Sequence, residues 1–350
     1  MDIIQKLEQG SFEQVLFCVD RDAGLRAFIA IHDTTLGPAL GGCRVWSHPS
    51  EEAALTDVLR LAKGMTYKNA AAGLNLGGGK ALIWTDPQHQ KNQETLRSFG
   101  RYVEKMGGTY ITTEDVGTTP EDLVVIKSET DNVVGLPISL GGSGDPSKAT
   151  GWGVYQGIRA CAKEAFGSDS LAGMSIAIQG YGKVASYLVE HLIADQASVA
   201  VTDVDPRALA RATEQGLTII EDPETIYDFP CQIFSPCAMG GSLNELTIPR
   251  LQCRIVAGSA NNQLLTPRDG DTLHRQGILY APDYVINAGG VINLSYEMGM
   301  DYQEKPAMEH VGQIREAMEK VIHLSKTMEI ATYQAADKMA EERLSSARPH

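Results

Sequence analysis

Met174-Ser-Ile-Ala-Ile-Gln-Gly180-Tyr-Gly-Lys-Val-Ala185 is the stretch that decides the fold. Its first half is a short, apolar, β-branched run. Its second half, Gly180-Tyr181-Gly182-Lys183-Val184-Ala185, has the spacing G-x-G-x-x-A and opens a helical pattern that runs through Ser186 to Ala194. The first glycine permits a tight turn, the second lets backbone approach a pyrophosphate, and Ala185 lets helix and strand pack closely. The helix N-terminus offers free N–H groups to phosphate. About twenty residues on, a second strand-like run ends in Val201-Thr202-Asp203. A carboxylate there can accept from ribose hydroxyls and repel a 2′-phosphate, which favours NAD over NADP. A glycine turn that serves packing alone is the competing reading, and the second strand with its carboxylate argues against it.

Outward from this unit, strands and helices alternate. A helix is expected over 152–165, then strands at 174–179 and 198–202 with helices 184–194 and 206–214 between and after them. Short apolar strands follow at Gln232 to Phe234, Arg254 to Ala257 and Val285-Ile286. Alternation of this kind implies a parallel sheet with helices on both faces. The last forty-odd residues read as helices, 313–325 and 331–344.

Upstream the pattern is mixed α and β. Glu13 to Val19 and Leu25 to His32 read as strands joined by the turn Asp20-Arg-Asp-Ala-Gly24, hence an antiparallel pair. Ser50 caps a strong helix with Glu51 and Glu52 in its first turn and Leu55, Val58, Leu59, Ala62 and Met65 at helical spacing. A short strand at 81–84, a helix at 94–105, a strand at 109–112 and a helix from Pro120 follow. The Gly/Ser/Pro-rich segment around 135–149 reads as a linker or hinge. The fold expected is therefore α/β with two domains, as the 350-residue length also suggests. A first domain covers 1–135, rejoined by a C-terminal helix at about 331–350. A Rossmann-type doubly wound domain covers 136–330, with a cleft between the two.

Lys plus Arg is 30 and Asp plus Glu is 44, for a net charge of −14. Phosphate backbones and anionic lipid repel such a chain, so nucleic-acid and membrane-surface partners are not expected. No apolar run approaches the roughly 18 residues of a membrane span, and no secretory signal is visible. The six cysteines form no Cys-x-x-Cys pair, which suits reduced, buried thiols in a cytoplasmic protein. The eight histidines show no ligand spacing, and no metal is expected.

Three pieces of the first domain could carry chemistry. Lys68 ends the strong helix on Gly64-Met-Thr-Tyr-Lys68, and Lys80 follows Gly77-Gly-Gly79, where bare backbone can approach a ligand. Either lysine could equally be a solvated surface charge. The third is Thr112-Thr113-Glu114-Asp115-Val116-Gly117 at a strand end, where open α/β folds place ligands. Its carboxylates could also simply cap the following turn.

Six segments in order carry a resemblance: 31–42 (Ile-His-Asp-Thr-Thr-Leu-Gly-Pro-Ala-Leu-Gly-Gly), 60–70, Gly77-Gly-Gly-Lys80, Glu114-Asp-Val-Gly-Thr118, Gly258-Ser-Ala-Asn-Asn262 and 281–293. Together they are similar to the Glu/Leu/Phe/Val dehydrogenase family from about residue 10 to about 345, nearest its leucine branch, with the phenylalanine branch next. The resemblance implies reversible oxidative deamination of an L-amino acid to a 2-oxo acid and ammonium with NAD, by a homo-oligomer. It implies that Lys68 anchors the substrate carboxylate, Lys80 activates water and Asp115 moves protons at the amino group. The backbone of Gly41 and Gly42, with Met65, Glu114 and Asn262, would line the substrate. Leu40, Thr113, Val291 and Leu294 would form the side-chain pocket, and the Thr113 hydroxyl need not reject apolar groups if it bonds its own backbone. Thr150 would meet the nicotinamide carboxamide, and Ser186, Ala238 and Asn262 would complete the cofactor site.

Thr113 and Leu294 are larger than the residues usual in the leucine branch, and they imply branched aliphatic substrates. Gly41-Gly-Cys43-Arg and the third glycine, Gly79, lean instead toward an aromatic substrate. Two rivals fit less well. A 2-hydroxy-acid dehydrogenase would want a cleft histidine, which no motif supplies. A regulator that binds NAD without chemistry would be expected to lose Lys80 or Asp115.

Overall fold

The computed structural model describes residues 3–299 and 301–348. The chain divides into two compact units. In order, the first holds α1 (Ile3–Gly10), β1 (Gln14–Asp20), β2 (Leu25–Asp33), β3 (Ala39–Trp46), α2 (Glu51–Ala71), β4 (Gly77–Trp84), α3 (Gln93–Lys105), β5 (Tyr110–Glu114) and α4 (Pro120–Lys127). The five strands form one sheet in the order β1-β2-β4-β3-β5. β1 and β4 run antiparallel to β2, and β3 runs parallel to β4 and β5.

Period-two alternation along β2 explains why both faces are covered. Leu25, Ala27, Ile29 and Ile31 pack with Leu96, Phe99 and Val103 of α3 and Leu123 and Ile126 of α4. Phe28 and Ala30 pack with Leu55, Val58, Leu59 and Ala62 of α2. As expected, Ser50 caps α2, its Oγ accepting from the Ala53 amide at 3.1 Å.

This unit runs on to Asp145 and also includes Leu294–Gln303 and the segment from Ala340 onward, which differs from the expected limits of 135 and 331. Hydrogen bonds account for the extension. The Val134 amide donates to the Thr112 carbonyl, and the Glu297 carboxylate accepts from the Gly135 and Ser143 amides at 2.8 Å each. The return is tied by Arg343, which donates to the Ala70 carbonyl at 2.9 Å.

The second unit spans Pro146–Asn293 and Glu304–Met339. It begins with α5 (Ser147–Phe166), β6 (Ser175–Gln179), α6 (Lys183–Ala194), β7 (Ser198–Thr202), α7 (Pro206–Glu214), β8 (Thr218–Ile219), β9 (Ile233–Pro236) and β10 (Ile255–Val256). There follow α8 (Pro267–Arg275), β11 (Leu279–Tyr280), α9 (Asp283–Ile286), α10 (Gly289–Ser295), α11 (Glu304–Gly312), α12 (Ile314–Met328) and α13 (Thr332–Ala347). α10 and α13 each continue past the limits of this unit. All six strands pair in parallel, in the order β11-β10-β9-β6-β7-β8. This is the doubly wound Rossmann order, whose topological switch lies between β6 and β9.

The sequence reading has no counterpart for β3 or β8, and two further strands depart from it. Val285-Ile286 lies in the helical turn α9, and the terminal strand is β11, just before Pro282. β4 begins at Gly77, so Lys80 sits within a strand rather than ahead of one. Among the described residues, no helix is long and apolar enough to cross a membrane.

Candidate active site

In the first unit, two lysines and a carboxylate project from three elements. Lys80 lies in mid-β4 opposite Ala30 of β2, and its side chain is only 8% exposed. Asp115 is the residue after β5. It is held in a turn in which its amide donates to Thr118 Oγ1 at 2.9 Å and Thr118 Oγ1 donates to the Cys43 carbonyl at 3.0 Å. Lys80 Nζ reaches Asp115 Oδ2 at 2.6 Å, and Arg44 Nε reaches the same oxygen at 3.2 Å. Burial pushes the Asp115 carboxyl up, but the charges of Lys80 and then Arg44 hold it below the usual carboxylate range.

Met65 and Lys68 are half-buried in the last turns of α2, three residues apart and so on one face. Met65 lies over Gly41, where a Cβ would stand 3.3 Å from Met65 Cγ and 1.8 Å from the Gly79 carbonyl oxygen. Only glycine fits there. A Cβ on Gly42 would stand 2.8 Å from Asp115 Cβ. Leu40 is fully buried.

Thr113 and Leu294 meet beside Gly135, where a Cβ would lie 2.7 Å from Thr113 Oγ1 and 3.3 Å from Leu294 Cδ2. Thr113 Oγ1 is buried and, among the described residues, has no hydrogen-bond partner. The condition that it bonds its own backbone is therefore not met. Glu114 is exposed.

In the second unit, the glycine turn joins β6 to α6 at the switch point. Gly180 has φ +92°, and a Cβ on it would stand 2.7 Å from that of Ala238, just beyond β9. At Gly182 a Cβ would meet nothing within 4 Å. Gly182 caps α6 with no side-chain hydrogen bond, so the first amides of the helix face a cradle of bare backbone suited to a pyrophosphate. Asp203 follows β7, and its Oδ2 accepts from the Tyr181 amide at 2.6 Å. Tyr181 contributes only backbone to this turn. Its ring is buried, and its hydroxyl donates to Gln215 Oε1 at 2.5 Å. Ala185 is buried against the sheet, whereas Lys183 is exposed and Val184 and Ser186 are half-buried.

Thr150 lies within α5, its hydroxyl donating to the Pro146 carbonyl at 3.0 Å. Asn262 is exposed, with φ +53°, and its amide donates to Asp283 Oδ2 at 2.6 Å. Val291 is buried on α10. Among the described residues, no group of three His, Cys, Asp or Glu side chains could hold a metal ion.

Sequence reasoning missed Arg44 as a member of the cluster. No signal was available, because its place two residues beyond Gly42 puts it on the same face only once 39–46 is known to be a strand.

A family model described as the Glu/Leu/Phe/Val dehydrogenase dimerisation domain matches residues 12–132. A second, described as Glutamate/Leucine/Phenylalanine/Valine dehydrogenase, matches 141–206 and 204–349. The chain is 54% identical to a leucine dehydrogenase of Geobacillus stearothermophilus over 99% of this chain and 95% of that one. It is 46% identical to a phenylalanine dehydrogenase of Bacillus thermotolerans over 95% and 88%. Among solved structures, L-tryptophan dehydrogenase from Nostoc punctiforme superposes with a TM-score of 0.87 at 40% identity, covering 99% of this chain and all of that one.

Proposed function

The chain belongs to the Glu/Leu/Phe/Val dehydrogenase family and is an amino-acid dehydrogenase, and on that premise we propose that it oxidatively deaminates branched aliphatic L-amino acids with NAD. The balanced reaction takes an L-amino acid, water and NAD⁺ to a 2-oxo acid, ammonium and NADH, and is reversible. One observation carries the reading: the buried Lys80–Asp115 pair stands beside the bare backbone of Gly41 and Gly42.

NAD, when bound, supplies the acceptor for the hydride that leaves Cα. The glycine turn and the first amides of α6 suit its pyrophosphate, and Asp203 suits its ribose and disfavours a 2′-phosphate. Thr150, Ser186, Ala238 and Asn262 belong to the same assignment.

Lys68 pairs with the substrate carboxylate, a charge-assisted contact that fixes the orientation of Cα. Met65, Glu114 and Asn262 line the substrate. Loss of hydride from Cα leaves an iminium. Lys80 removes a proton from water as the water adds to that carbon. Asp115 carries a proton to the nitrogen, which then departs as ammonia while the carbon becomes the keto group. Thr113, Leu294 and Val291 bound the side-chain pocket, and the bulk of the first two supports aliphatic over indole substrates.

A homo-oligomer completes the reading, supported by the dimerisation-domain description matched by residues 12–132. The six free cysteines support a reducing, cytoplasmic setting. The test is NADH absorbance with Leu, Ile, Val, Phe and Trp, repeated with NADP⁺. Turnover highest with Leu, Ile or Val and with NAD⁺ is expected. No turnover with any of them overturns the assignment.

A further inference from the structure

Arg44 is engaged at both ends of its guanidinium. Nε donates to Asp115 Oδ2 at 3.2 Å and Nη1 to Asp57 Oδ2 at 3.0 Å. Asp57, on α2, is itself held by Arg60 Nη2 at 2.9 Å from Oδ1, while His48 Nε2 stands 3.5 Å from Oδ2 without a hydrogen bond. The Arg44 and Asp57 side chains are 21% and 16% exposed. We propose that Arg44 is the positioning residue for Asp115: braced by Asp57, it fixes which carboxylate oxygen meets Lys80 and keeps the acid in register for the reacting nitrogen. This rests on the reading of Asp115 as the proton carrier.

The geometry carries the argument. Both cations converge on Oδ2, and among the described residues Oδ1 makes no ion pair. A carboxylate held by one flexible ammonium can turn about its terminal torsion, which is broad and roughly two-fold. A planar guanidinium has fixed donor directions, so a second contact from it stops that rotation. Asp57 in turn removes the freedom of the long arginine side chain. The result is that Oδ1 is presented in one orientation.

The groups facing Asp115 come from every neighbouring element. Lys80 stands on β4, Arg44 and Cys43 on β3, and Tyr110 on β5. Asp57 and Arg60 on α2, with His48 before it, form the outer ring. Burial pushes the Cys43 thiol and the Tyr110 hydroxyl up, so both stay neutral at working pH. Lys80 and Arg44 are then the two cations that act directly on the carboxylate.

Arg44→Gln and Arg44→Lys in the full chain test this, with kcat and KM for L-leucine measured with NAD⁺ from acid to alkaline pH. Arg44→Gln is expected to lower kcat by about tenfold to a hundredfold, the cost of a misplaced catalytic group, with KM changed far less. The limb of the pH profile set by Asp115 is expected to move to higher pH, because only Lys80 and the Val116 amide are left to oppose its protonation. Arg44→Lys keeps the charge but loses the fork. It is expected to restore the limb and only part of kcat. An unmoved limb in Arg44→Gln, or a loss confined to KM, overturns the proposal. If Arg44→Gln does not fold, wild-type kcat in Arg44→Lys overturns it. A wild-type enzyme that turns over no amino acid overturns the functional reading itself, a result distinct from either.

Discussion

Lys80 Nζ stands 2.6 Å from Asp115 Oδ2, although β4 and β5 are not neighbours in the sheet. β3 lies between them, and the contact crosses it where it is bare: Gly42 pairs with Thr113, and a Cβ on Gly42 would stand 2.8 Å from Asp115 Cβ. A side chain on the intervening strand would fill the space that the acid and the lysine share. Two glycines in mid-strand cost stability in a sheet, and here their bareness lets the pair form.

From that contact the roles of the two lysines separate. Lys80→Ala is expected to cut kcat by about 10²–10⁴-fold, the usual contribution of a general base. Lys68→Ala is expected mainly to raise KM for both the amino acid and the oxo acid, since it removes a ground-state anchor. Steady-state kinetics in both directions would check this, and near-normal kcat in Lys80→Ala would sink the mechanism.

The same contact makes stability depend on pH. The Asp115 carboxyl sits below its ordinary range in the folded chain, with burial opposed by Lys80 and Arg44. A group depressed in this way stabilises the fold fully above its unfolded value of about 3.9 and loses that contribution as pH falls through the folded value. Urea midpoints of wild type and Asp115→Asn should therefore differ at pH 7 and converge below about pH 4. A gap that stays constant from pH 7 to pH 3 would show that the pairing contributes nothing to stability.

Cofactor choice gives a third expectation. With Asp203 Oδ2 on the Tyr181 amide, a negative charge stands at the edge of the glycine turn, where a 2′-phosphate would be repelled. Asp203→Ala should narrow the preference for NAD⁺ over NADP⁺, seen as a ratio of kcat/KM values. Equal use of the two cofactors by wild type would withdraw this role for Asp203.

Much of this was legible in the sequence because the signals were local. The turn at Gly180, the cap at Ser50 and the hairpin at Asp20 each rest on residues close together in the chain, and each forms as expected. β3 was not legible: Ala39-Leu-Gly-Gly-Cys-Arg-Val-Trp46 has weak strand propensity. It is a strand because its glycines let β4 come close, a tertiary fact. Val285-Ile286 failed for the opposite reason, since a two-residue apolar run fits a strand or a helical turn equally well. Arg44 stayed hidden because its partners, Asp57 and Asp115, come from a helix and a distant turn, and no spacing in the chain announces them.

On the proposed function, substrate choice is expected to turn on Thr113 and Leu294. Both are buried, and both abut Gly135, so their volumes close one end of the same space. The Thr113 hydroxyl has no hydrogen-bond partner among the described residues, so removing it breaks no bond. Thr113→Ala combined with Leu294→Val is therefore expected to enlarge the pocket without the penalty of stranding a polar partner. A pocket change of about one methylene shifts selectivity by about 1–3 kcal/mol. The kcat/KM ratio of Phe to Val should then rise by about tenfold or more in the double variant. Because the two residues touch the same backbone, their effects should not be additive, and each single variant should recover less than half of the shift on a logarithmic scale. An unchanged ratio in the double variant, or a wild type that already prefers Phe or Trp over Leu and Val, would move the determinant of specificity to another part of the chain and leave Lys68, Lys80 and Asp115 in their roles.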